Sequence, residues 1–509
     1  MMQWVPHVPV PVTLRRLFPQ ASFVGCGDLR VTHATDRSRD CGPNSLFAVI
    51  RGTRADGNQF VREALDRGAT ALLSDRPHAD VAVPQCIVPD VRKAYAELWN
   101  ALMAQPTRHL GLAGVTGTNG KTTTTWLIRS ILQASGRQTG LLGTIEYHDG
   151  VGREPASLTT PDSATLSRWL AAMVSQQTMH AAMELSSHAL DQRRTAGTQL
   201  DAAIITNITQ DHFDYHLNFT AYRRSKLRIF DLLKPAGLAI VNIDDRGSRS
   251  CLEESPKRTM TYGFDPAADV RAEAVEATLC GTNFRLCCGA EEYPVQTRLI
   301  GRHNVSNCLA AAAVGMHFGA SPQQIAAGIA ALECVPGRME PIECGQPFQV
   351  FVDYAHTDDA LRNAIRSLRP LTLRRILCVF GAGGDRDRTK RPLLGKAASE
   401  ADLPIVTSDN PRSEDPSMIV RDILGGFDAE RRQPYVEVDR ERAIRWALQH
   451  AGPGDAVLIA GKGHETEQIC GASRQHFDDR EVARECLADL YPKSLSGHPH
   501  LQIRNSLSV

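Results

Sequence analysis

Three features are missing from this sequence: a net charge, a long apolar run and a patterned set of cysteines. Its 57 basic residues balance its 57 acidic residues, so no overall electrostatic field attracts nucleic acid or an anionic membrane. We therefore expect neither nucleic acid nor a membrane as a partner. Any anionic substrate must be held locally, by individual arginines, lysines and helix N-termini.

The apolar runs are all short, and none approaches the about 20 residues that a membrane-spanning helix needs. The N-terminus also lacks the charged start and apolar core of an export signal, so we expect a cytoplasmic protein. The 13 cysteines are an odd number without metal-type spacing. This favours reduced thiols over a zinc site or a disulfide framework.

What remains is an ordinary globular composition, 42% apolar and 22% charged, on a chain of 509 residues that is long enough for about three domains. Alternating strand and helix patterns predict an α/β fold with three domains. The central one is expected to be a P-loop-type ATPase domain and the C-terminal one to be doubly wound and Rossmann-like. We place the domains at residues 1–108, 109–334 and 335–492, followed by a polar tail at 493–509.

A glycine-rich turn stands between a predicted strand, Leu110–Val115, and a predicted amphipathic helix. The turn and the residues after it are Gly117, Thr118, Asn119, Gly120, Lys121, Thr122 and Thr123. Glycines let backbone N–H groups face a phosphate, Lys121 can reach the outer phosphates, and the Thr122 hydroxyl can bind Mg²⁺. The strict pattern G-x-x-x-x-G-K-[ST] is not met, since the residue five before Gly120 is Val115. The turn predicts nucleotide binding, with a plain glycine-rich turn as the alternative.

Polar residues follow other predicted strands of the central domain. Glu184 comes after one apolar run, and His212 lies in the polar stretch Thr206–His216. Because ligands collect at the carboxyl ends of strands in open α/β sheets, both residues are candidate Mg²⁺ or phosphate neighbours of Lys121. A hydrogen-bonded structural role is the alternative for either one. Lys226 lies on a helix with basic residues between apolar ones, a pattern that by itself predicts a solvated lysine.

The outer domains carry similar loops. In the first domain, Val31–Ser38 and Arg51–Gly57 include polar, arginine-bearing segments that can hold a phosphate or a sugar, although the residues alone favour ordinary surface turns. In the third domain, predicted strands end in polar turns at Asp353–Thr357, Gly381–Asp387, Asp409–Arg412 and Gly461–Glu465. The turn at Gly381 is only a weak dinucleotide motif, because it lacks a third glycine and a suitable acidic partner.

In this order, from about residue 30 to about residue 485, the motifs resemble the Mur ligases of peptidoglycan synthesis, and within them the UDP-N-acetylmuramoyl-tripeptide synthetases. The resemblance implies an ATP-dependent ligase that adds meso-diaminopimelate to UDP-N-acetylmuramoyl-L-alanyl-D-glutamate. ATP phosphorylates the free carboxylate of the dipeptide, the amine attacks the acyl phosphate, and phosphate leaves. The resemblance also implies a monomer whose partners are its small-molecule substrates. The first domain would bind the UDP-muramoyl substrate, the central domain ATP and the third domain the amino acid.

The resemblance implies roles for the central residues. Residues Gly117–Thr123 cradle ATP, with Lys121 on its phosphates and Thr122 on Mg²⁺. Glu184 is similar to the ligand of a second Mg²⁺, and His212 to a histidine near that metal. Lys226 matches a lysine that CO₂ carbamylates in the family. A carbamate is a carboxylate-like anion that can bind Mg²⁺, which an ammonium cannot do.

Further contacts follow from the same resemblance. Asn304 and Asn307 match residues near the adenine, and Arg338, Asp353 and His356 match nucleotide contacts of the third domain. The uridine-nucleotide contacts correspond to Ser38, Thr53, Arg54 and Ala55, and the muramoyl-dipeptide contacts to Thr159, Thr160, Ser186, Gln192 and Arg194. The sequence departs from the family pattern at Asp36-Arg-Ser38, where Asp-Ser-Arg is usual, at Thr53-Arg54, where His-Gln is usual, and at Asp358, where proline is usual.

The amino acid is indicated by Asp409, Asn410, Pro411 and Arg412, a form that accompanies meso-diaminopimelate use in the family. A guanidinium can grip the second carboxylate of diaminopimelate with two hydrogen bonds, and lysine has no such carboxylate. The remaining contacts of this set correspond to Arg386, Gly461 and Glu465. Glu465 is suited to the distal ammonium. A plain turn at Pro411-Arg412 is the alternative.

Two other functions stay open at this point. Folylpolyglutamate synthetase is a related ligase, but it should lack a first domain of this type and the Asp-Asn-Pro-Arg element. A non-catalytic ATP-binding scaffold is the other possibility, and the retained Lys121, Glu184, His212 and Lys226 argue against it.

Overall fold

The computed structural model describes residues 8–52, 55–209, 211, 213–428, 430 and 433–492. Three predicted site residues, Thr53, Arg54 and His212, lie outside the described residues, as does the tail at 493–509. The described chain forms two compact units. The first covers residues up to 276 together with 282–298 and 303–333, and the second covers 277–281, 299–302 and the residues from 334 onward.

The first unit begins with a small mixed sheet. Its elements, in chain order, are β1 (Val12–Thr13), α1 (Leu14–Leu17), β2 (Ser22–Val24), β3 (Arg30–Val31), β4 (His33–Thr35), β5 (Ser45–Ala48), α2 (Val61–Asp66), β6 (Ala69–Ser74), β7 (Gln85–Ile87) and α3 (Val91–Leu102). The strand order is β2-β7-β6-β5-β4, with β4 to β7 parallel. Helix α3 starts where Asp90 accepts a hydrogen bond from the Lys93 backbone N–H at 2.9 Å, and it buries Leu98 and Trp99 in the core of this sheet.

A second, larger sheet follows. Its elements are β8 (Gly111–Thr116), α4 (Lys121–Ala134), β9 (Thr139–Leu142), β10 (Glu146–His148), β11 (Arg153–Pro155), α5 (Ser163–Ser175), β12 (His180–Glu184), α6 (Ser187–Asp191), β13 (Leu200–Ile205), α7 (Phe213–His216), α8 (Phe219–Leu227), β14 (Leu233–Asn242), α9 (Arg246–Arg249), β15 (Thr259–Gly263), β16 (Val270–Thr278), β17 (Gly281–Cys288), β18 (Glu291–Thr297), α10 (Arg302–His317) and α11 (Pro322–Ala331). Its strand order is β11-β10-β9-β12-β8-β13-β14-β15-β16-β17-β18.

The middle of this sheet is parallel, with β8 between β12 and β13. These strands are apolar along nearly their whole length because helices cover both faces of a parallel sheet. Since parallel strands end at the same edge, the loops after β8, β12 and β13 leave the sheet side by side. Antiparallel pairing at β10–β11 and β17–β18 closes the two ends of the sheet.

The second unit is doubly wound, as predicted. Its elements are β19 (Glu340–Pro341), β20 (Gln349–Asp353), α12 (Asp358–Leu368), β21 (Ile376–Phe380), α13 (Lys390–Ala398), β22 (Leu403–Val406), α14 (Pro416–Leu424), β23 (Tyr435–Val436), α15 (Arg440–His450), β24 (Ala456–Ala460), β25 (Glu467–Cys470), β26 (Ser473–His476) and α16 (Asp479–Leu490). The strand order is β19-β20-β24-β21-β22-β23, parallel except for β19. Helices α12, α13 and α14 cover one face, and α15 and α16 cover the other.

The predicted fold class is confirmed by this architecture. The strands predicted before the polar turns at Asp353, Gly381, Asp409 and Gly461 appear as β20, β21, β22 and β24, each ending within three residues of the start of its turn. In the part of the chain that the structure describes, no helix has both the length and the apolar character needed to cross a bilayer.

Candidate active site

The glycine-rich turn joins β8 to α4. Gly117 and Gly120 have φ angles of 157° and 86°, in the region that favours glycine. A Cβ atom on Gly120 would lie 2.5 Å from Asn307 Oδ1, so a larger residue would force this amide away. The Lys121 ammonium folds back over the turn and donates to the carbonyl oxygens of Gly117 and Thr118 at 2.9 and 3.0 Å. The turn therefore carries a cation beside the N-terminus of α4, which suits a phosphate group.

Glu184, the last residue of β12, is 1% exposed and points at the start of α4. Its Oε2 accepts hydrogen bonds from the hydroxyls of Thr122 at 3.1 Å and Thr144 at 2.9 Å, and its Oε1 accepts from the Thr144 backbone N–H at 2.8 Å. The Thr144 hydroxyl also lies 3.1 Å from Thr159 Oγ1. The structure thus brings together Thr122 and Glu184, a hydroxyl and a carboxylate of the kind that Mg²⁺ prefers. Thr144 was not identified from the sequence, since nothing in the sequence pattern around it is distinctive.

Residues after β13 hold the turn from its other side. Thr206 Oγ1 donates to the Asn119 carbonyl oxygen at 2.6 Å, and Asn207 Oδ1 accepts from the Asn119 backbone N–H at 2.8 Å. The Tyr222 hydroxyl, on α8, lies 3.0 Å from the Thr118 hydroxyl. Asn207 falls within the polar stretch that the sequence singled out. Tyr222 was missed, because its partner is 104 residues away along the chain.

Lys226 is almost fully buried, so the prediction of a solvated lysine from the helical pattern is wrong. Its Nζ lies 4.5 Å above the ring centroid of Tyr222. Burial lowers the pKa of Lys226 well below its ordinary value, the charge of Lys121 lowers it further, and Asp211 opposes the shift. This pKa leaves a larger share of the amine neutral, and the neutral amine is the form that reacts as a nucleophile. The neighbouring candidate His212 lies outside the described residues.

Four of the five predicted dipeptide contacts form one network next to Glu184. The Thr160 hydroxyl donates to the Glu184 carbonyl oxygen at 2.8 Å and accepts from the Ser186 backbone N–H at 2.9 Å. Arg194 donates to the Thr160 carbonyl oxygen at 3.3 Å and to Gln192 Oε1 at 2.7 Å. Burial lowers the pKa of the Arg194 guanidinium, which a bound anion would counteract. The fifth contact, Thr159, joins the same network through Thr144.

The two asparagines assigned to the adenine lie on α10. Asn307 Nδ2 donates to Asn304 Oδ1 at 3.1 Å, and Asn307 Oδ1 accepts from the Thr124 hydroxyl at 3.3 Å. Both side chains are buried. Asn307 therefore lies against the glycine-rich turn, and Asn304 is held beside it.

The first-domain candidates lie on loops that follow the adjacent parallel strands β4 and β5, and so leave the same edge of the small sheet. The Ser38 hydroxyl donates to Glu63 Oε2 at 2.9 Å. The Ala55 carbonyl oxygen accepts from the Gly52 backbone N–H at 2.8 Å. The other two predicted uridine contacts, Thr53 and Arg54, lie outside the described residues.

In the second unit, the predicted nucleotide contacts gather around Tyr354. The Arg338 guanidinium lies 4.4 Å from the centroid of the Tyr354 ring, and His356 Nδ1 is 2.8 Å from the Tyr354 carbonyl oxygen. Asp353 accepts from the backbone N–H groups of Met339 at 2.7 Å and of Ala355. Burial raises the pKa of Asp353 in spite of these bonds. Tyr354, between two predicted contacts, was missed.

The predicted amino-acid site of the second unit is built at the ends of β22 and β24. Asn410 Nδ2 donates to Glu465 Oε2 at 2.8 Å, and Arg412 Nη1 donates to the Gly384 carbonyl oxygen at 2.6 Å. A Cβ atom on Gly461, whose φ is 118°, would lie 2.6 Å from an Asp409 carboxylate oxygen, so the two loops approach closely.

Arg386 and Pro411 complete the predicted amino-acid set. A Cβ atom on Gly383 would lie 2.8 Å from Arg412 Nη1 and 3.8 Å from Arg386 Cγ, so both arginines border this glycine, and Arg386 is exposed. Pro411 has its carbonyl group against Gly384. The loops after β21, β22 and β24 thus present two guanidinium groups, a carboxamide and the Glu465 carboxylate, a set that can bind both charged ends of an amino acid.

Three family models match the chain in order: the Mur ligase family catalytic domain at residues 30–103, the Mur ligase middle domain at 115–315 and the Mur ligase glutamate ligase domain at 337–463. The chain therefore belongs to the Mur ligase family. It is 45% identical over 459 residues to the UDP-N-acetylmuramoyl-L-alanyl-D-glutamate--2,6-diaminopimelate ligase of Geobacillus kaustophilus, covering 89% of this chain and 94% of that protein.

Two further comparisons name the same ligase. The protein of that name from Solibacter usitatus is 44% identical over 461 residues, covering 90% of this chain and 93% of that protein. A solved structure of such a ligase superposes with a TM-score of 0.67 at 30% identity, covering 95% of this chain and all of the other.

Proposed function

We propose that this protein is an ATP-dependent ligase that joins meso-diaminopimelate to UDP-N-acetylmuramoyl-L-alanyl-D-glutamate through an acyl phosphate. The observation that carries the proposal is the continuity of the first-unit site. Lys121 lies on the glycine-rich turn, Thr122 reaches Glu184 at 3.1 Å, and Thr160 reaches the backbone of the same glutamate at 2.8 Å. The proposed phosphate site and the proposed site for the dipeptide carboxylate that accepts the phosphoryl group therefore adjoin. The names of the relatives support the choice of substrates.

In this mechanism the turn after β8 binds the ATP phosphates. The Lys121 ammonium neutralises the charge that spreads over the transferred phosphoryl group, and the N-terminus of α4 adds to this effect. Thr122 and Glu184 would hold Mg²⁺, which supplies further neutralisation when bound. Thr160, Ser186 and Arg194 hold the dipeptide so that its free carboxylate meets the terminal phosphate of ATP, and positioning of the two groups lowers the barrier.

The second unit is proposed to choose the amine. Arg412, with Arg386 beside it, binds the carboxylate at the distal centre of diaminopimelate, and Glu465 binds the distal ammonium. Lysine lacks that carboxylate, so it would leave Arg412 without its partner. The incoming amine attacks the acyl phosphate, and phosphate leaves.

Lys226 is proposed to carry a carbamate formed from CO₂. Its burial and lowered pKa support this, because a neutral amine attacks CO₂ and a buried ammonium does not. As an anion beside the phosphate turn, the carbamate could serve as a metal ligand. We further propose that the protein works in the cytoplasm as a monomer, with domain limits near residues 108, 334 and 492.

A competition assay tests the substrate. With ATP, Mg²⁺ and UDP-N-acetylmuramoyl-L-alanyl-D-glutamate, we expect meso-diaminopimelate to be incorporated in preference to equimolar lysine. Arg412→Lys keeps the charge but loses the bidentate fork, so kcat/KM for diaminopimelate should fall by about tenfold or more. Arg442→Lys, at a largely exposed arginine of the same unit, is the control and should leave kcat/KM for diaminopimelate unchanged. Preferential use of lysine by the unaltered enzyme would overturn the proposed specificity.

A further inference from the structure

A fully buried lysine, Lys462, lies under the proposed amino-acid site and has no part in the mechanism above. Its Nζ donates to the Glu467 carbonyl oxygen at 2.6 Å and to Asn410 Oδ1 at 3.3 Å, and it lies 3.6 Å from Glu465 Oε2. A buried ammonium is stable only when acceptors surround it. Here the three acceptors come from three segments that meet at the site: the loop after β22, the turn after β24, and β25.

Lys462 fixes which way the Asn410 carboxamide points. Asn410 Oδ1 accepts from Lys462 and also from the Ile469 backbone N–H at 3.0 Å. Because both neighbours are donors, the oxygen must face them and the NH₂ group must face the other way. That NH₂ group donates to Glu465 Oε2 at 2.8 Å. The lysine thus sets the orientation of the carboxamide and, through it, of the carboxylate.

The hairpin β25–β26 also holds Arg412. Arg412 has a φ of 52°, a conformation that side chains other than glycine seldom adopt. Its backbone N–H donates to the Ile469 carbonyl oxygen at 2.9 Å, and its carbonyl oxygen accepts from the Gly471 N–H at 2.6 Å. Gln468 Nε2 adds a third tie, to the Asp409 carbonyl oxygen at 2.7 Å. The strained arginine therefore depends on the hairpin, and Lys462 anchors the start of that hairpin through Glu467.

We propose that Lys462 is a positioning residue that sets specificity for the amino-acid substrate. It holds Asn410, Glu465 and the hairpin behind Arg412 in one arrangement, so that the distal carboxylate and ammonium of a diamino diacid are both recognised. The inference rests on the proposed function, because it takes Asn410, Arg412 and Glu465 as the residues that touch the amino acid.

Steady-state kinetics of the full-length Lys462→Met enzyme test the proposal. We expect KM for meso-diaminopimelate to rise by about tenfold or more, with KM for ATP and for the UDP-linked dipeptide within about twofold of wild type. The preference for diaminopimelate over lysine should shrink. Lys396→Met, at an exposed lysine on α13, removes the same charge away from the site and should change none of these values.

Two more variants separate positioning from stability. Val457→Ala removes buried volume from β24 and serves as the destabilised control. If Lys462 had only a structural role, Lys462→Met would behave like Val457→Ala. It would lower the melting temperature and, with it, kcat or the amount of folded enzyme, and KM for diaminopimelate would stay unchanged. That result would overturn the proposal. If Lys462→Met does not fold, Gln468→Ala tests the hold of the hairpin on the loop after β22, because it removes the bond to the Asp409 carbonyl oxygen, and KM for diaminopimelate is expected to rise by about threefold or more.

Failure of the two proposals can be told apart. If wild-type enzyme does not use meso-diaminopimelate, the proposed function fails. If wild type uses it and the Lys462 and Gln468 variants keep the wild-type KM and selectivity, only the inference about Lys462 fails.

Discussion

At the scale of single residues, Lys226 shows how strongly surroundings determine chemistry. Its helix has basic residues in its last turn, and an exposed lysine there would only stabilise the helix slightly, by interacting with the helix dipole. Instead the side chain is 1% exposed, with the Tyr222 ring beneath it and the charge of Lys121 acting on it. The proposed carbamate would replace a buried cation with an anion within reach of the charge of Lys121. This makes carbamate formation at Lys226 directly testable.

Lys226→Ala should lose most ligase activity, because it removes the proposed anion beside the phosphate turn. Part of the activity should return when a small carboxylic acid supplies the missing charge. Arg224→Ala, at an exposed basic residue of the same helix, is the matched control and should stay active. Carbon NMR with isotope-labelled bicarbonate should detect the carbamate in wild type and not in Lys226→Ala. Full activity of the unrescued variant would contradict the proposed role.

At the scale of elements, an ion-pair group links α13 to α14 beside the amino-acid loop. Arg391 on α13 is 2% exposed and donates to Glu414 at 2.7 Å and to Asp422 on α14 at 2.8 Å. Glu414 also accepts from the Asp385 backbone N–H at 2.7 Å. The hydrogen bonds from Arg391, followed by that backbone bond, lower the pKa of Glu414 from 4.5 to about 2. The group therefore stabilises the loops around Arg412 in their folded arrangement.

Because its pKa is lower in the folded state, Glu414 stabilises the protein fully above about pH 4.5 and loses this effect as pH falls towards about 2. Glu414→Gln should thus lower the free energy of unfolding by about 1–2 kcal/mol near neutral pH, and the difference from wild type should shrink as pH falls below 4.5. Denaturant unfolding at several pH values measures this. Glu485→Gln, at an exposed glutamate of α16, should show no such trend. A difference that grows in acid would refute the assignment.

At the scale of the whole molecule, the sequence predicts well whatever depends on local pattern. The strands of the second unit are continuous apolar runs followed by polar turns, so β20, β21, β22 and β24 could be located directly. The glycine-rich turn was recognised for the same reason. Burial of a basic helix face could not be predicted, because it depends on which elements pack against α8, and this left Lys226 misread.

Supporting residues were missed for a related physical reason. Thr144 reaches Glu184 across 40 residues, Tyr222 reaches Thr118 across 104, and Lys462 reaches Asn410 across 52. Each contact joins segments that lie at or beyond the ends of different strands. Only the strand order brings those segments to one edge of a sheet, and no local sequence motif encodes the strand order.

The two compact units divide the proposed contacts: the phosphate turn and the dipeptide network belong to the first, and the diaminopimelate set belongs entirely to the second. Hydrogen exchange should reveal this division. A non-hydrolysable ATP analogue with Mg²⁺ and the UDP-linked dipeptide should slow exchange around Gly117–Thr123. Adding meso-diaminopimelate should then slow exchange around Asp409–Arg412 and Gly461–Gly471, since ligand contacts suppress local opening. Lysine in its place should protect these segments less. Arg412→Lys should abolish the protection that diaminopimelate gives and keep the protection around Gly117–Thr123. Protection by diaminopimelate confined to the first unit would contradict the assignment of the amino-acid site.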